Sequence, residues 1–142
     1  MCGIVGKLNF NGDSVTSQEI KAMADTIVYR GPDDEGSYCH GGIGLGQRRL
    51  AIIDLRREST APLSNEDGTI WIVFNGEIYN FQELRGRLVK QGHVFRTGSD
   101  TEVILALYRR HGVDCLAKLR GMFAFALWDE REKRLFFARD RV

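Results

Sequence analysis

The order of helix and strand signatures along this 142-residue chain predicts an α+β domain, with a largely antiparallel sheet and helices packed on it. Three observations carry that expectation. Strand-like runs and helical periodicities are mixed without a regular βαβ alternation. The last two strand-like runs flank a short charged turn, as in a hairpin. An apolar content of 43% in a chain of this length is enough for one buried core, and no repeat or linker divides it.

The first strand is expected over Gly3 to Phe10, where Ile4, Val5, Leu8 and Phe10 lie among glycines. A helix from Ser17 to Tyr29 follows. Thr16 and Glu19 have the spacing of a capping box, Val15 and Ile20 that of a hydrophobic staple, and Ile20, Met23, Ala24, Ile27 and Val28 recur on one face. Arg30-Gly31-Pro32-Asp33 stops it, because Pro32 disfavours helix in its predecessor. Two strands, Gly36 to His40 and Ile43 to Ile53, precede a polar loop from Arg56 to Gly68.

Ile70 to Phe74 is an unbroken apolar run expected to form a strand covered on both faces and to end at Asn75-Gly76, a common turn pair. A second helix begins near Asn80, a capping residue with Glu83 three positions later, carries Leu84 and Leu88 on one face, and ends at Gly92. A third uses Ser99 and Glu102 as its capping pair, buries Val103, Ile104, Leu107 and Tyr108, and ends at Gly112. Met122 to Trp128 and Leu135 to Ala138 form the closing hairpin around Asp129 to Arg134.

Charge narrows the function classes. Twenty basic and 19 acidic side chains are dispersed to a net +1, so no broad positive field draws nucleic acid or anionic lipid. No apolar run approaches the roughly 20 residues that span a bilayer, and a cytoplasmic location is expected. Three widely spaced cysteines, Cys2, Cys39 and Cys115, argue against a disulfide framework and show no metal-ligand spacing with His40, His93 or His111. Cys39 and His40 are neighbours on a strand and point to opposite faces, a poor arrangement for base activation. Cys115, among Val113, Leu116 and Leu119, reads as a small core residue.

Cys2 differs from both. A small residue after an initiator methionine favours its removal, which would make Cys2 the first residue of the mature chain. Its thiol and a free α-amine would then share one residue, and an α-amine with a pKa of about 7.7 to 8.0 can accept a proton at neutral pH. While Met1 is retained, that amine is locked in a peptide bond.

Met1-Cys2-Gly3-Ile4-Val5-Gly6, Arg30-Gly31-Pro32-Asp33, Arg48-Arg49-Leu50-Ala51-Ile52-Ile53-Asp54, Asn75-Gly76-Glu77-Ile78-Tyr79-Asn80 and Gly98-Ser99-Asp100-Thr101-Glu102, taken together, resemble the N-terminal glutaminase domain, a class II glutamine amidotransferase domain, of asparagine synthetases. Gly121-Met122-Phe123-Ala124-Phe125-Ala126 and Ala138-Arg139-Asp140-Arg141 extend the resemblance over essentially the whole chain. Related glutaminase domains usually have a non-proline residue after Arg-Gly and a His-Thr-Arg-Trp-type segment in place of Gln47-Arg48-Arg49-Leu50.

The resemblance implies the four-layer αββα sandwich of N-terminal nucleophile hydrolases. It also implies hydrolysis of L-glutamine to glutamate and ammonia through a γ-glutamyl thioester on Cys2. The ammonia would pass through a tunnel to a synthetase domain, in cis or on a separate chain, that amidates aspartate with ATP and Mg²⁺. No cofactor or metal is implied for the glutaminase domain itself, and a homodimer is left open. Matching positions assign Arg49 to the substrate α-carboxylate, Asp100 to its α-ammonium, and the Asn75 side-chain amide with the Gly76 N–H to the oxyanion. Glu77 and the backbone of Ile52 and Ile53 would line the glutamine.

Each residue also has a plainer reading: Arg49 as a surface ion-pair partner, Asp100 as a helix-start acid, Asn75-Gly76 as a turn. Two departures from the family pattern stand out. Gln47 occupies a position where many relatives have histidine. The chain is shorter than family glutaminase domains and has no Ser-Gly-Gly-x-Asp-Ser pyrophosphate loop, so a domain truncated at its C-terminus, without its synthetase partner, is expected over 1–142. Competing readings are a non-catalytic glutamine-binding or regulatory module, an apolar scaffold, and an amidotransferase for another carboxylate acceptor. Glutamine binding unaffected by Cys2→Ser and without turnover would favour the first of these.

Overall fold

The computed structural model describes residues 2–50 and 61–141, which form two antiparallel sheets. The first contains β1 (Gly3–Leu8), β2 (Asp34–His40) and β3 (Ile43–Arg49), with β3 in the centre. The second has the order β4 (Leu63–Ser64), β5 (Ile70–Ile78), β6 (Gly121–Asp129) and β7 (Arg134–Arg139).

The two faces of β3 have different compositions, and that difference positions its neighbours. Gly44 and Gly46 make one face nearly flat, and helix α1 (Ser17–Asp25) lies directly on it. A Cβ on Gly44 would sit 2.6 Å from Val15 Cγ1 and 2.7 Å from Ile20 Cδ1, and one on Gly46 2.6 Å from Ile20 Cγ2. Ile20 is fully buried there, worth roughly 1.5–3 kcal/mol relative to exposure. Arg48 fastens the far end of α1, donating from Nε to the Ala24 carbonyl at 3.2 Å and pairing with Asp25 and Glu35.

Ile43 and Leu45 line the opposite face of β3. With Ile4, Leu8 and Tyr38 from the same sheet, they meet Val73, Ala126 and Trp128 of the second sheet. Tyr38 stacks on Trp71 with ring centroids 4.1 Å apart. The other face of the second sheet carries the larger core, where Ile72, Phe74, Phe125 and Leu127 pack against α2 (Phe81–Lys90) and α3 (Asp100–His111). Cys115 is wholly buried in that core, and burial pushes its thiol up to about 11.

The Thr16–Glu19 capping box forms as the spacing predicts. Four local expectations are corrected. The first strand stops at Leu8, and Phe10 is exposed. Helix α1 ends at Asp25, where Thr26 caps it through its backbone N–H and its hydroxyl, which donates to the Met23 carbonyl at 2.7 Å; the chain then tightens into a 3-10 turn, Val28–Arg30. Glu102 does not complete a box with Ser99, which caps α3 alone by accepting the Thr101 N–H at 3.0 Å. Asn80 makes no cap; its side chain bridges Lys118 O and the Arg120 N–H, both at 3.0 Å.

The fifth correction concerns β5, which does not end at Asn75-Gly76 but runs to Ile78, paired with β6 throughout. Glycine makes this continuation sterically feasible. Gly76 has φ +147°, and a Cβ there would lie 2.1 Å from Met122 O and 2.6 Å from Phe123 Cα. The loop expected over Arg56 to Gly68 contains β4, and its residues 56–60 lie outside the described residues, as does the end of the strand expected to reach Ile53.

Candidate active site

Cys2 precedes β1 on the face that carries Ile4 and Leu8 toward the second sheet. Its Sγ accepts the Leu50 N–H at 3.3 Å and lies 3.6 Å from Leu50 O. Its carbonyl accepts from Arg30 Nε at 3.4 Å. The register Gly3↔Arg48 explains the proximity, since it sets Cys2 beside the Arg49–Leu50 end of β3.

Arg30-Gly31-Pro32 can run against the same strand end because residue 31 has no side chain. A Cβ on Gly31 would be 2.4 Å from Arg48 C and 2.5 Å from Arg49 N. Pro32 bridges to Arg49, and the Asp33 N–H donates to Arg49 O at 3.0 Å. Arg49 itself is 7% exposed and follows Ile43, Leu45 and Gln47 on the face that looks across to the second sheet.

On that second sheet, among the described residues, β4 pairs with Trp71 and Ile72 and no strand covers the rest of this β5 edge. Two side chains occupy it. The Phe74 N–H donates to Gln47 Oε1 at 3.0 Å, and the Ile78 N–H to Asp100 Oδ2 at 3.0 Å. Tyr79, in the opposite phase, donates to Arg120 O at 2.7 Å on the other side. Since alternate residues of a strand direct their N–H groups to the same edge, the Gly76 N–H is aimed at the edge between these two acceptors.

Side chains alternate as well. Val73 faces the first sheet, and Asn75 and Glu77 continue that face. Asn75 Oδ1 is buried and has no hydrogen-bond partner among the described residues.

Asp100 opens α3 and is 5% exposed. Burial raises its pKa above the ordinary carboxylate value, opposed by the backbone N–H groups of Ile78 and Thr101. The loop before it is held by Glu102, whose carboxylate accepts from the Arg96 N–H at 2.8 Å, the Thr97 N–H at 2.7 Å and Thr97 Oγ1 at 2.6 Å. Arg85 donates to Thr97 O at 2.8 Å and lies 4.1 Å over the Phe95 ring.

Cys2 and Arg49 thus belong to one sheet, and Asn75, Gly76 and Glu77 to the other, with Asp100 fastened to the end of β5. Gln47 joins the two strands directly: two residues later in β3 stands Arg49, and one residue after Phe74 in β5 stands Asn75. Ile52 and Ile53 lie outside the described residues. Reading the sequence did not single out Gln47 or Arg30 as contacts, or Glu102 as the loop's anchor. Only Gln47 left a signal, as the polar residue in phase with Ile43 and Leu45. Among the described residues, no three His, Cys, Asp or Glu groups gather where they could hold a metal ion.

A family model described as a glutamine amidotransferase domain matches residues 1–142. The chain is 48% identical over 143 residues to a glutamine-hydrolysing asparagine synthetase 1 of Bacillus subtilis, a match covering 99% of this chain and 22% of that protein. It is 44% identical over 143 residues to the glutamine-hydrolysing asparagine synthetase 1 of Arabidopsis thaliana, covering 100% of this chain and 24% of that one. The chain therefore spans about a quarter or less of the length of these curated relatives. Among solved structures, the glutamine phosphoribosylpyrophosphate amidotransferase from B. subtilis, complexed with ADP and GMP, superposes with a TM-score of 0.77. That match has 22% identity and covers 96% of this chain and 37% of the other, which makes it a likeness of fold.

Proposed function

This chain belongs to the glutamine amidotransferase domain family, and from that premise we propose that it hydrolyses L-glutamine to glutamate and ammonia at the seam between its two sheets. The α1 helix outside one sheet and α2 with α3 outside the other support reading the fold as the αββα sandwich of N-terminal nucleophile hydrolases.

One observation carries the mechanism: the Gly76 N–H is aimed at a β5 edge that no described strand covers, between two side-chain acceptors and next to Asn75, whose Oδ1 is buried. Once Met1 is removed, the Cys2 α-amine takes the thiol proton and the sulfur attacks the substrate amide carbon, breaking the C–O π bond. The resulting oxyanion is received by the Asn75 amide and the Gly76 N–H, and one such donor is typically worth about a hundred- to thousandfold in rate. Collapse of this intermediate breaks the C–N bond, and the α-ammonium returns its proton to the departing ammonia. Water, deprotonated by the same amine, then hydrolyses the thioester.

Arg49 takes the substrate carboxylate, where a planar guanidinium makes two parallel bonds. Asp100 takes the α-ammonium, whose charge offsets the burial that raises the carboxyl pKa. Glu77, with Ile52 and Ile53, lines the remaining substrate. The names of the relatives support aspartate as the acceptor of the ammonia, on a synthetase domain in cis or on a separate chain.

The test is glutamate release from glutamine by the intact protein with and without Met1. Processed protein turns over, while Cys2→Ala and a form that retains Met1 bind glutamine without hydrolysing it. Equal turnover by the retained-Met1 form would remove the amine from the mechanism, and turnover by Cys2→Ala would remove the nucleophile.

A further inference from the structure

We infer that Gln47 is a positioning residue for the oxyanion donors, acting across the two sheets through the backbone of β5. The inference rests on the glutaminase reading above and deepens it.

Gln47 is 5% exposed, and its side chain crosses from β3 to accept the Phe74 N–H at 3.0 Å. A donor at that point requires an acceptor, which fixes the amide with Oε1 toward β5. The bond is made one residue before Asn75 and two before Gly76. Its counterpart, Asp100 on the Ile78 N–H, lies two residues beyond Gly76. Among the described residues, no strand pairs with the segment between these bonds on that edge. Asn75 Oδ1 has no hydrogen-bond partner among the described residues, so the direction of that amide depends on where the backbone beneath it is held.

Gln47 also stands two residues before Arg49 on the same face of β3, so one side chain sets the donor strand relative to the strand that carries the carboxylate-binding guanidinium. An apolar residue of the same size would fill the space and leave the Phe74 N–H bare. A histidine would accept that N–H only while neutral, because a protonated imidazole has donors on both nitrogens. Glutamine does not titrate, and the link it makes is indifferent to pH.

The experiment is steady-state glutamine hydrolysis by the processed, intact protein carrying Gln47→Met, Gln47→His or Cys2→Ala, between about pH 5.5 and 8, where an imidazole titrates. Gln47→Met should lower kcat by about tenfold to a hundredfold, the range for a small misplacement of catalytic groups, with a much smaller change in KM. Gln47→His should recover most of kcat at about pH 8 and lose it relative to wild type as the pH falls through about 6.5. Wild-type kcat in Gln47→Met, or a ratio of Gln47→His to wild type that stays flat with pH, overturns the inference; the second comparison decides the matter if the Met variant does not fold. Hydrolysis by Cys2→Ala would instead refute the underlying glutaminase reading, whatever the Gln47 variants do.

Discussion

Asp100 accepts the backbone N–H of Ile78 at 3.0 Å while almost entirely withdrawn from water, so the first residue of α3 holds the end of β5 with a buried carboxylate. Desolvation raises its pKa above 3.8, and the folded chain holds that proton more readily than the unfolded one. Stability from this group therefore falls as the pH rises from the unfolded value through the raised folded one, and at neutral pH the buried charge weighs against folding. Asp100→Asn removes the charge. The variant should be at least as stable as wild type in urea at about pH 7, and that advantage should shrink as the pH falls toward 4. Its KM for glutamine should rise about tenfold or more through loss of a charge-assisted bond to the α-ammonium. A stability difference that does not change with pH would contradict the assignment.

A pair of glycines gives opposite signs for one substitution. Gly76→Ala places a methyl against Met122 O and Phe123 Cα at a φ of +147°, all of it backbone that cannot turn aside. It should lower stability by about 2–4 kcal/mol and abolish turnover. Gly86→Ala, within α2 and with nothing within 4 Å of the new Cβ, should raise stability by about 0.5–1 kcal/mol. Urea midpoints of the two variants check both signs, and a stable Gly76→Ala would mean that β5 can be displaced from β6 at this point.

The three cysteines should separate by reactivity. Cys115 has a pKa of about 11 and no exposure, so at about pH 8 roughly one thiol in a thousand is ionised, and that one is out of reach. Cys39 is partly exposed, but its pKa is raised, mainly by burial. An alkylating reagent applied to the native protein should modify Cys2 first and Cys115 only after unfolding, as read by mass spectrometry of the peptides. Labelling of Cys115 at equal rates in buffer and in urea would show that its core is open.

Most elements were legible because local signals agreed with the tertiary environment. The alternation of Ile43, Gly44, Leu45 and Gly46 became a strand with one flat face for α1, and Thr16 and Glu19 became the capping box their spacing predicts. The misreadings arose where a contact distant in sequence prevailed. Asn75-Gly76 reads as a turn, yet Gln47, Asp100 and the long partner β6 hold it extended. Glu102 has the spacing of a capping partner, but three donors from the preceding loop take both of its oxygens.

At the site, motif resemblance named Cys2, Arg49, Asn75, Gly76, Glu77 and Asp100, and the fold shows which wall each belongs to. Gln47 and Arg30 escaped because their partners lie 27 and 28 positions away in sequence. Periodicity gives the face on which Gln47 lies, and not the partner it reaches.

Outside the Gln47–Phe74 link, the two hydrogen-bonded walls meet through apolar side chains, whose volumes set the spacing between them. Ile43, Leu45, Val73, Ala126 and Trp128 therefore act as shims. On the proposed mechanism, trimming or enlarging one should shift the sulfur relative to the amide donors by a fraction of an ångström and change turnover from a position outside the proposed substrate contacts.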